Sequence, residues 1–458
     1  MGYLFTKDGR TYAAIGDLIM PGGVLGYSGS LDFSAADVLA SLRKLAAQRP
    51  DEVLGGHGAG DPDNFIAKGI AAGEATGWSR MTPEKPDPFY GFAQSNYLVV
   101  AWLQPIRSAA YGDVDGDGRP DVAVLAAKGA GSAVRIYLNK GGRFADAPDV
   151  EIDLADLGGG WKLRLGHVNE DKVADLLATS EGQVILLLSQ EGKLLFRRVA
   201  LPGITRATQM LTGDFNGDGR TDLVLGSRFV GNHAVASRNA DGTFRVAHSK
   251  PPGRMYFDIQ LADVNGDQRE DLLFSCGDIL LRRQDGSLAD APAVRLTPPG
   301  GEQAGWAFMA AADFDHDGWT DVALLAGGKD GATVWLYRNT RQPQSPFPQK
   351  PSAAFVARGA AILRDGPTVA DWNGDGVPDL VLGALGKSGT HVLLGSRADG
   401  LSPDRAVRVD LDYAPHYDTR LGVADFNGDG LPDLAGFGPS GVGAVGVYIR
   451  LQPAASTP

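Results

Sequence analysis

The sequence predicts a mainly β protein, a ring of seven four-stranded blades over residues 96–452, with a partial α/β segment at residues 1–80 in front of it. Three observations predict it. One acidic nine-residue phrase occurs seven times between residues 113 and 433. Its first positions fall at 113, 167, 214, 263, 313, 371 and 425, so the steps run from 47 to 58 residues, a repeat period the size of one propeller blade. Each copy sits between short apolar runs that suit buried strands, such as residues 210–213 before and 222–226 after the third.

Taken in chain order, residues 3–15 read as strand, turn, strand. A helix follows, with Ser34 as its cap, Asp37 three residues on, and Val38, Leu39, Leu42 and Leu45 on one apolar face. A strand near residue 53 leads to Gly56-His57-Gly58, and Asp61-Pro62 opens a second helix through Ile70, with proline at the favoured first position. Residues 81–95 read as a linker. The apolar run 97–102 precedes the first phrase, whereas the last repeat, ending at 445–450, is one strand short. The early run therefore supplies the missing strand, which closes the ring and hides both edges. The Pro-rich stretch 341–351 accounts for the longest step as a surface insertion, and residues 453–458 form a tail. A ring closed on itself predicts a monomer.

The phrase carries hard oxygen donors at positions 1, 3, 5 and 9. These are Asp113, Asp115, Asp117 and Asp121; Asp214, Asn216, Asp218 and Asp222; Asp263, Asn265, Asp267 and Asp271; Asp313, Asp315, Asp317 and Asp321; Asp371, Asn373, Asp375 and Asp379; and Asp425, Asn427, Asp429 and Asp433. With a main-chain carbonyl at position 7 they make a Ca²⁺ loop, and glycine at position 6 permits the positive φ of the turn. A single such stretch is an ordinary Asp/Gly turn; six in register are not. About six Ca²⁺ ions are expected, bringing +12 against a formal net charge of −12, so the acidity reads as counter-ion demand. The second copy, with His167, Asn169, Asp171 and Asp175, has Lys172 at position 6 and is expected to stay empty. Gln268 replaces the glycine in the fourth copy, which predicts weaker binding there.

These phrases make residues 96–452 resemble the FG-GAP/VCBS repeats of integrin-α-like β-propellers. The resemblance implies calcium loops that brace the blades and ligand contacts on another face. Residues 1–80, with Ile15-Gly16-Asp17-Leu18, a helix, a strand and Gly56-His57-Gly58, resemble the C-terminal half of the metallo-β-lactamase fold. That second resemblance implies Asp17 and His57 as Zn²⁺ ligands. The chain has no HxHxDH motif, so the hydrolase site is incomplete and the chain as given is inactive. The resemblance places the missing half upstream of Met1, in a parent zinc-dependent hydrolase.

The remaining features bound the function class. Calcium loops of this type work at extracellular calcium levels, so an extracytoplasmic location is expected although residues 1–20 show no signal peptide. No run of 18 apolar residues exists to span a membrane, and a pI near 5.1 without basic clusters argues against nucleic acid. The expected partner is a glycan or protein, with Trp161 and Trp306 as candidate contacts. One cysteine, Cys276, excludes an internal disulfide.

Overall fold

The computed structural model describes residues 3–7, 10–16, 19–20, 24–25, 35–55, 58–60, 66–68, 70–71, 97–101, 106–157, 162–169, 171, 173–180, 183–190, 195–201, 207, 209–227, 232–249, 256, 258–289, 291–299, 307–360, 362–363, 366–383, 390–411, 420–439 and 445–452. Asp17, His57, Ser34, Asp61, Pro62, Trp161, Lys172, Trp306, the linker 81–95 and the tail 453–458 lie outside these residues.

Seven four-stranded antiparallel sheets form the blades. Blade 1 runs Ile106–Gly112, Asp121–Lys128, Gly131–Tyr137, Val150–Leu154, and blade 2 runs Lys162–Gly166, Asp175–Thr179, Val184–Gln190, Leu195–Ala200. Blade 3 comprises Gln209–Gly213, Asp222–Ser227, Asn232–Arg238 and Phe244–Ser249, and blade 4 comprises Ile259–Ala262, Asp271–Phe274, Asp278–Leu280 and Val294–Arg295. Blade 5 is Ala307–Ala312, Asp321–Gly327, Gly331–Tyr337 and Ala353–Arg358; blade 6 is Thr368–Ala370, Asp379–Leu382, Thr390–Leu393 and Ala406–Val409. Blade 7 takes Gly422–Ala424, Asp433–Pro439 and Val445–Arg450 from the end of the chain and Tyr97–Val100 from before the first repeat. That early strand pairs antiparallel with Val445–Arg450, Val100 opposite Val447 and Tyr97 opposite Arg450. First strands of successive blades are neighbours around the circle, and blade 7 also packs on the first strand of blade 1. The ring is closed.

The apolar runs explain where the core sits. Side chains alternate along a strand, and in the second strand of blade 1 both sets are buried: Ala123 and Leu125 pack toward blade 2, Val122 and Val124 toward blade 7. The same division recurs in blade 4, where Leu272 and Phe274 meet blade 3 while Leu273 meets blade 5. The core is thus a series of inter-blade layers. Burial on both faces is why these strands read as continuous apolar runs rather than alternating ones.

The Pro-rich insertion 341–351 lies between the third and fourth strands of blade 5 and tucks Phe347 inside. Cys276 stands just beyond the second strand of blade 4 and is half-buried.

In the N-terminal segment Tyr3–Lys7 and Arg10–Gly16 form an antiparallel hairpin, and Arg10–Gly16 pairs parallel with Glu52–Gly55 across the helix Ala35–Ala47. Leu39, Leu42 and Leu45 are the helix's buried face, as its spacing predicts. Gly58–Gly60 adds a fourth strand antiparallel to Glu52–Gly55, and residues 66–68 and 70–71 are helical.

Candidate metal centres

Each acidic phrase joins the first and second strands of its blade and is called loop 1 to loop 7 below. All seven loops leave the ring at the same ends of those strands. In loop 1, Asp113 folds the turn around its own carboxylate: Oδ1 accepts from the N–H of Gly116 at 2.7 Å and of Asp117 at 3.2 Å, and Oδ2 from Gly118 at 2.8 Å. Asp115 Oδ1 accepts from Asp117 N–H at 3.1 Å, and Asp117 Oδ1 from Arg119 N–H at 2.9 Å. Asp214, Asp263, Asp371 and Asp425 hold their loops in the same way. The turn needs positive φ at positions 4 and 6, as at Gly116 and Gly118, both +84°. His316 at position 4 of loop 5 (φ 55°) and Gln268 at position 6 of loop 4 (φ 66°) adopt it without glycine's freedom.

This wrapping gathers carboxylates. Asp113, Asp115 and Asp117 each bring one oxygen within 4.8 Å of the others, and Asp313, Asp315 and Asp317 do the same. Burial raises the Asp115 pKa above the usual carboxylate range; the N–H of Asp117 opposes this, and the Asp117 and Asp113 charges add to it. In loop 5 two buried carboxylate oxygens, Asp315 Oδ1 and Asp321 Oδ2, have no hydrogen-bond partner. A buried acceptor left unpaired costs about 1–3 kcal/mol, more if charged, and a cation at the centre of Asp313, Asp315 and Asp317 would relieve it. The donor set is all oxygen, which fits a hard divalent ion.

Position 9 also ties each loop into its blade. All seven residues there, from Asp121 to Asp433, are fully buried. Asp121 Oδ2 accepts from Val114 N–H at 2.9 Å and Oδ1 from Asn139 N–H at 2.8 Å, tying the loop to the end of the third strand. Equivalent Oδ1 bonds run from Ser189, Arg238, Arg282, Asn339, Gly395 and Gln452. Loop 5 is the exception, because Phe314 N–H turns to Ala312 O, which orphans Asp321 Oδ2. Desolvation pushes these carboxyls up, Asp121 and Asp321 to about 7 and Asp271 and Asp433 to about 6, with backbone donors opposing and the loop carboxylates adding to the shift.

Loop 2 satisfies itself. Asn169 Nδ2 donates to Asp171 Oδ2 at 2.8 Å and to Ser189 O, while the Ser189 hydroxyl reaches Asp175 Oδ1 at 2.9 Å and Asp171 at 3.2 Å. Ser189 lies 14 residues after Asp175, beyond the phrase, so the sequence motif does not show it.

The loops are also clasped from the next blade. Asn139 Nδ2 donates to Phe426 O of loop 7 at 2.9 Å, and Asn339 Nδ2 to Val264 O of loop 4 at 2.9 Å. Ser396 N–H bonds Phe314 O of loop 5 at 3.0 Å, and Ala174 N–H bonds Asp113 O of loop 1 at 3.0 Å.

With this geometry in view, the FG-GAP-like repeat profile matches residues 113–178, 167–225, 214–274 and 313–382, together just over half of the chain. Among curated proteins the chain is similar to integrin alpha-V of Gallus gallus, 24% identical over 258 residues covering 48% of this chain and 24% of that protein. It is also similar to integrin alpha-IIb of Mus musculus, 29% identical over 218 residues, 40% of this chain and 20% of that protein. These matches therefore span a quarter or less of the relatives' length. Among solved structures, a lectin of Agrocybe aegerita described as recognising non-reducing terminal N-acetylglucosamine aligns with a TM-score of 0.47 at 20% identity, over 69% of this chain and 81% of that one. The WD40 domain of Toxoplasma gondii coronin aligns with a TM-score of 0.47 at 12% identity, over 79% of this chain and 88% of that one. Nothing in the described fold or among these relatives supports the metallo-β-lactamase resemblance of residues 1–80. A hairpin with one strand-helix-strand unit belongs to many α/β folds and singles out none.

Proposed function

Because the chain belongs to the FG-GAP-like repeat family, we propose that it is a calcium-braced binding scaffold that works outside the cytoplasm. The observation that carries this is the pair of Asp triads, with the orphaned buried oxygens of Asp315 and Asp321 beside the second. Bound Ca²⁺ neutralises crowded carboxylates at positions 1, 3 and 5 and gives the orphaned oxygens a partner. Loops 1, 3, 4, 5, 6 and 7 each take one ion through positions 1, 3 and 5, and loop 2 takes none because Ser189 and Asn169 already satisfy it. Sites built on Asp and Asn oxygens in a strand-loop-strand frame suit the calcium concentrations found outside cells. No helix among the described residues is long and apolar enough to cross a membrane.

The bracing leaves the opposite face for a partner. Antiparallel strands put the turns between second and third strands, such as residues 129–130 and 328–330, at the far end of each blade from the acidic loops. A glycan or protein ligand is contacted there and by the connections between blades, while the loops keep the blades in register. Native mass spectrometry of protein loaded with Ca²⁺ tests the metal assignment. Six ions per chain are expected; a chain that retains none after desalting into calcium-containing buffer would overturn it.

A further inference from the structure

We propose that four of the six acidic loops carry a built-in arginine that stands in for the cation, so that calcium control of the ring is concentrated in blades 6 and 7, beside its closing seam. In loops 1, 3 and 4 position 7 is an arginine, and it folds back onto the position-5 carboxylate. Arg119 contacts Asp117, Arg220 contacts Asp218, and Arg269 Nη2 lies 2.6 Å from Asp267 Oδ2. Two of these guanidinium groups are fixed on their other side as well: Arg119 Nε donates to Asn139 O at 2.7 Å and Arg220 Nε to Arg238 O at 3.0 Å, the end of the third strand in each blade. Loop 5 has Trp319 at position 7 and reaches the same result from elsewhere. Arg338 Nε bonds Asp315 Oδ2 at 2.7 Å, and Arg341 Nε bonds Asp317 Oδ2 at 2.8 Å.

Loops 6 and 7 show no such group among the described residues. Position 7 is Val377 in one and Leu431 in the other, and among the described residues no arginine or lysine touches Asp371, Asp375, Asp425 or Asp429. Among the described residues, their position-5 carboxylates receive only backbone N–H groups and the amide of Asn373 or Asn427, the amide at 3.0 Å in each case.

The physics follows from charge. A guanidinium on a ligand carboxylate offsets repulsion when the ion is gone, and opposes the ion when it arrives, since two cations then share one set of acids. Loops 1, 3, 4 and 5 therefore bind Ca²⁺ more weakly but keep their shape without it. Loops 6 and 7 bind more tightly and lose their shape when it is removed. Blade 7 is the blade completed by Tyr97–Val100, and blade 6 is its neighbour. Loss of calcium thus loosens the ring where its two chain ends meet, while blades 1 to 5 stay formed.

This rests on the calcium reading above. Hydrogen–deuterium exchange read peptide by peptide across a free Ca²⁺ titration of the full chain, ending in excess EGTA, tests both. The expected result is that residues 371–379 and 425–433, with strands 433–439, 445–450 and 97–100, lose protection in EGTA while residues 113–121, 214–222, 263–271 and 313–321 change little. Equal loss in all six loops, or first loss in loops 1, 3 and 4, overturns the arginine proposal and leaves the calcium reading intact. No change in any loop overturns both. In the Arg119→Leu protein, residues 113–121 should become calcium-dependent and lose protection in EGTA as residues 371–379 do, while loops 6 and 7 behave as before. Loop 1 protection in that variant that is the same in Ca²⁺ and in EGTA overturns the proposal, and the wild-type titration decides it if the variant fails to fold.

Discussion

Asp121, Asp175, Asp222, Asp271, Asp321, Asp379 and Asp433 occupy one position of the phrase and share one environment, a buried carboxylate that accepts backbone N–H groups from another strand. Asp175 isolates that role, since loop 2 lacks the acid at position 1. Its oxygens accept from the N–H of Val168 at 2.6 Å, Asn169 at 3.1 Å and Ser189 at 2.7 Å, and from the Ser189 hydroxyl at 2.9 Å. Asp175→Ala leaves these donors unpaired in a buried site and should destabilise the protein by about 3 kcal/mol in urea denaturation. The loss should be equal in Ca²⁺ and in EGTA; a loss seen only in Ca²⁺ would mean that loop 2 binds metal. Positions 1, 3 and 5 were legible in the sequence because their partners lie inside the phrase. The hydrogen bonds of position 9 were not, because the residues that complete them lie 11 to 19 positions further on and meet the aspartate only once the blade has folded. Positive φ at position 6 was legible as glycine, but its recurrence at position 4, where His316 also adopts it, was not.

Among the elements, the blades followed from period and apolar runs, and the closing strand 97–100 from the count of strands in the last repeat. The contacts between blades did not. Trp319 of loop 5 lies over Gly266 of loop 4 so closely that a Cβ there would fall 2.5 Å from its ring. Asn139 and Asn339 reach the preceding blades' loops across 287 and 75 residues of sequence. No local pattern encodes such distances. The strand register also has tight points. Gly331 begins the third strand of blade 5 at φ 148°, and a Cβ there would stand 2.1 Å from Ala357 O on the fourth strand. Gly331→Ala should therefore push the two strands apart and cost about 3 kcal/mol by equilibrium denaturation. A change within about 0.5 kcal/mol would mean that the fourth strand of blade 5 is free to shift.

For the whole molecule, the ring puts six acidic loops on one face and clasps loops 1, 4, 5 and 7 from the neighbouring blade, so their charge acts beyond the blade that carries them. In the folded state burial holds Asp121 and Asp321 near 7 and Asp271 and Asp433 near 6, whereas an unfolded aspartate titrates near 3.9. A folded pKa above the unfolded one gives stability that is full below about pH 4 and is lost as pH rises through 6 to 7. His391, buried and shifted down chiefly by desolvation, works in the opposite sense, but it is one group against the aspartates of several blades. Calcium favours the ionised carboxylates and so acts most strongly where they have lost their protons. The melting temperature of the full chain at pH 5 and pH 8, in Ca²⁺ and in EGTA, tests the central claim most directly. In EGTA the protein should melt higher at pH 5 than at pH 8, and Ca²⁺ should raise the melting temperature at pH 8 by more than at pH 5. A melting temperature at pH 8 that is the same in Ca²⁺ and in EGTA would contradict the account.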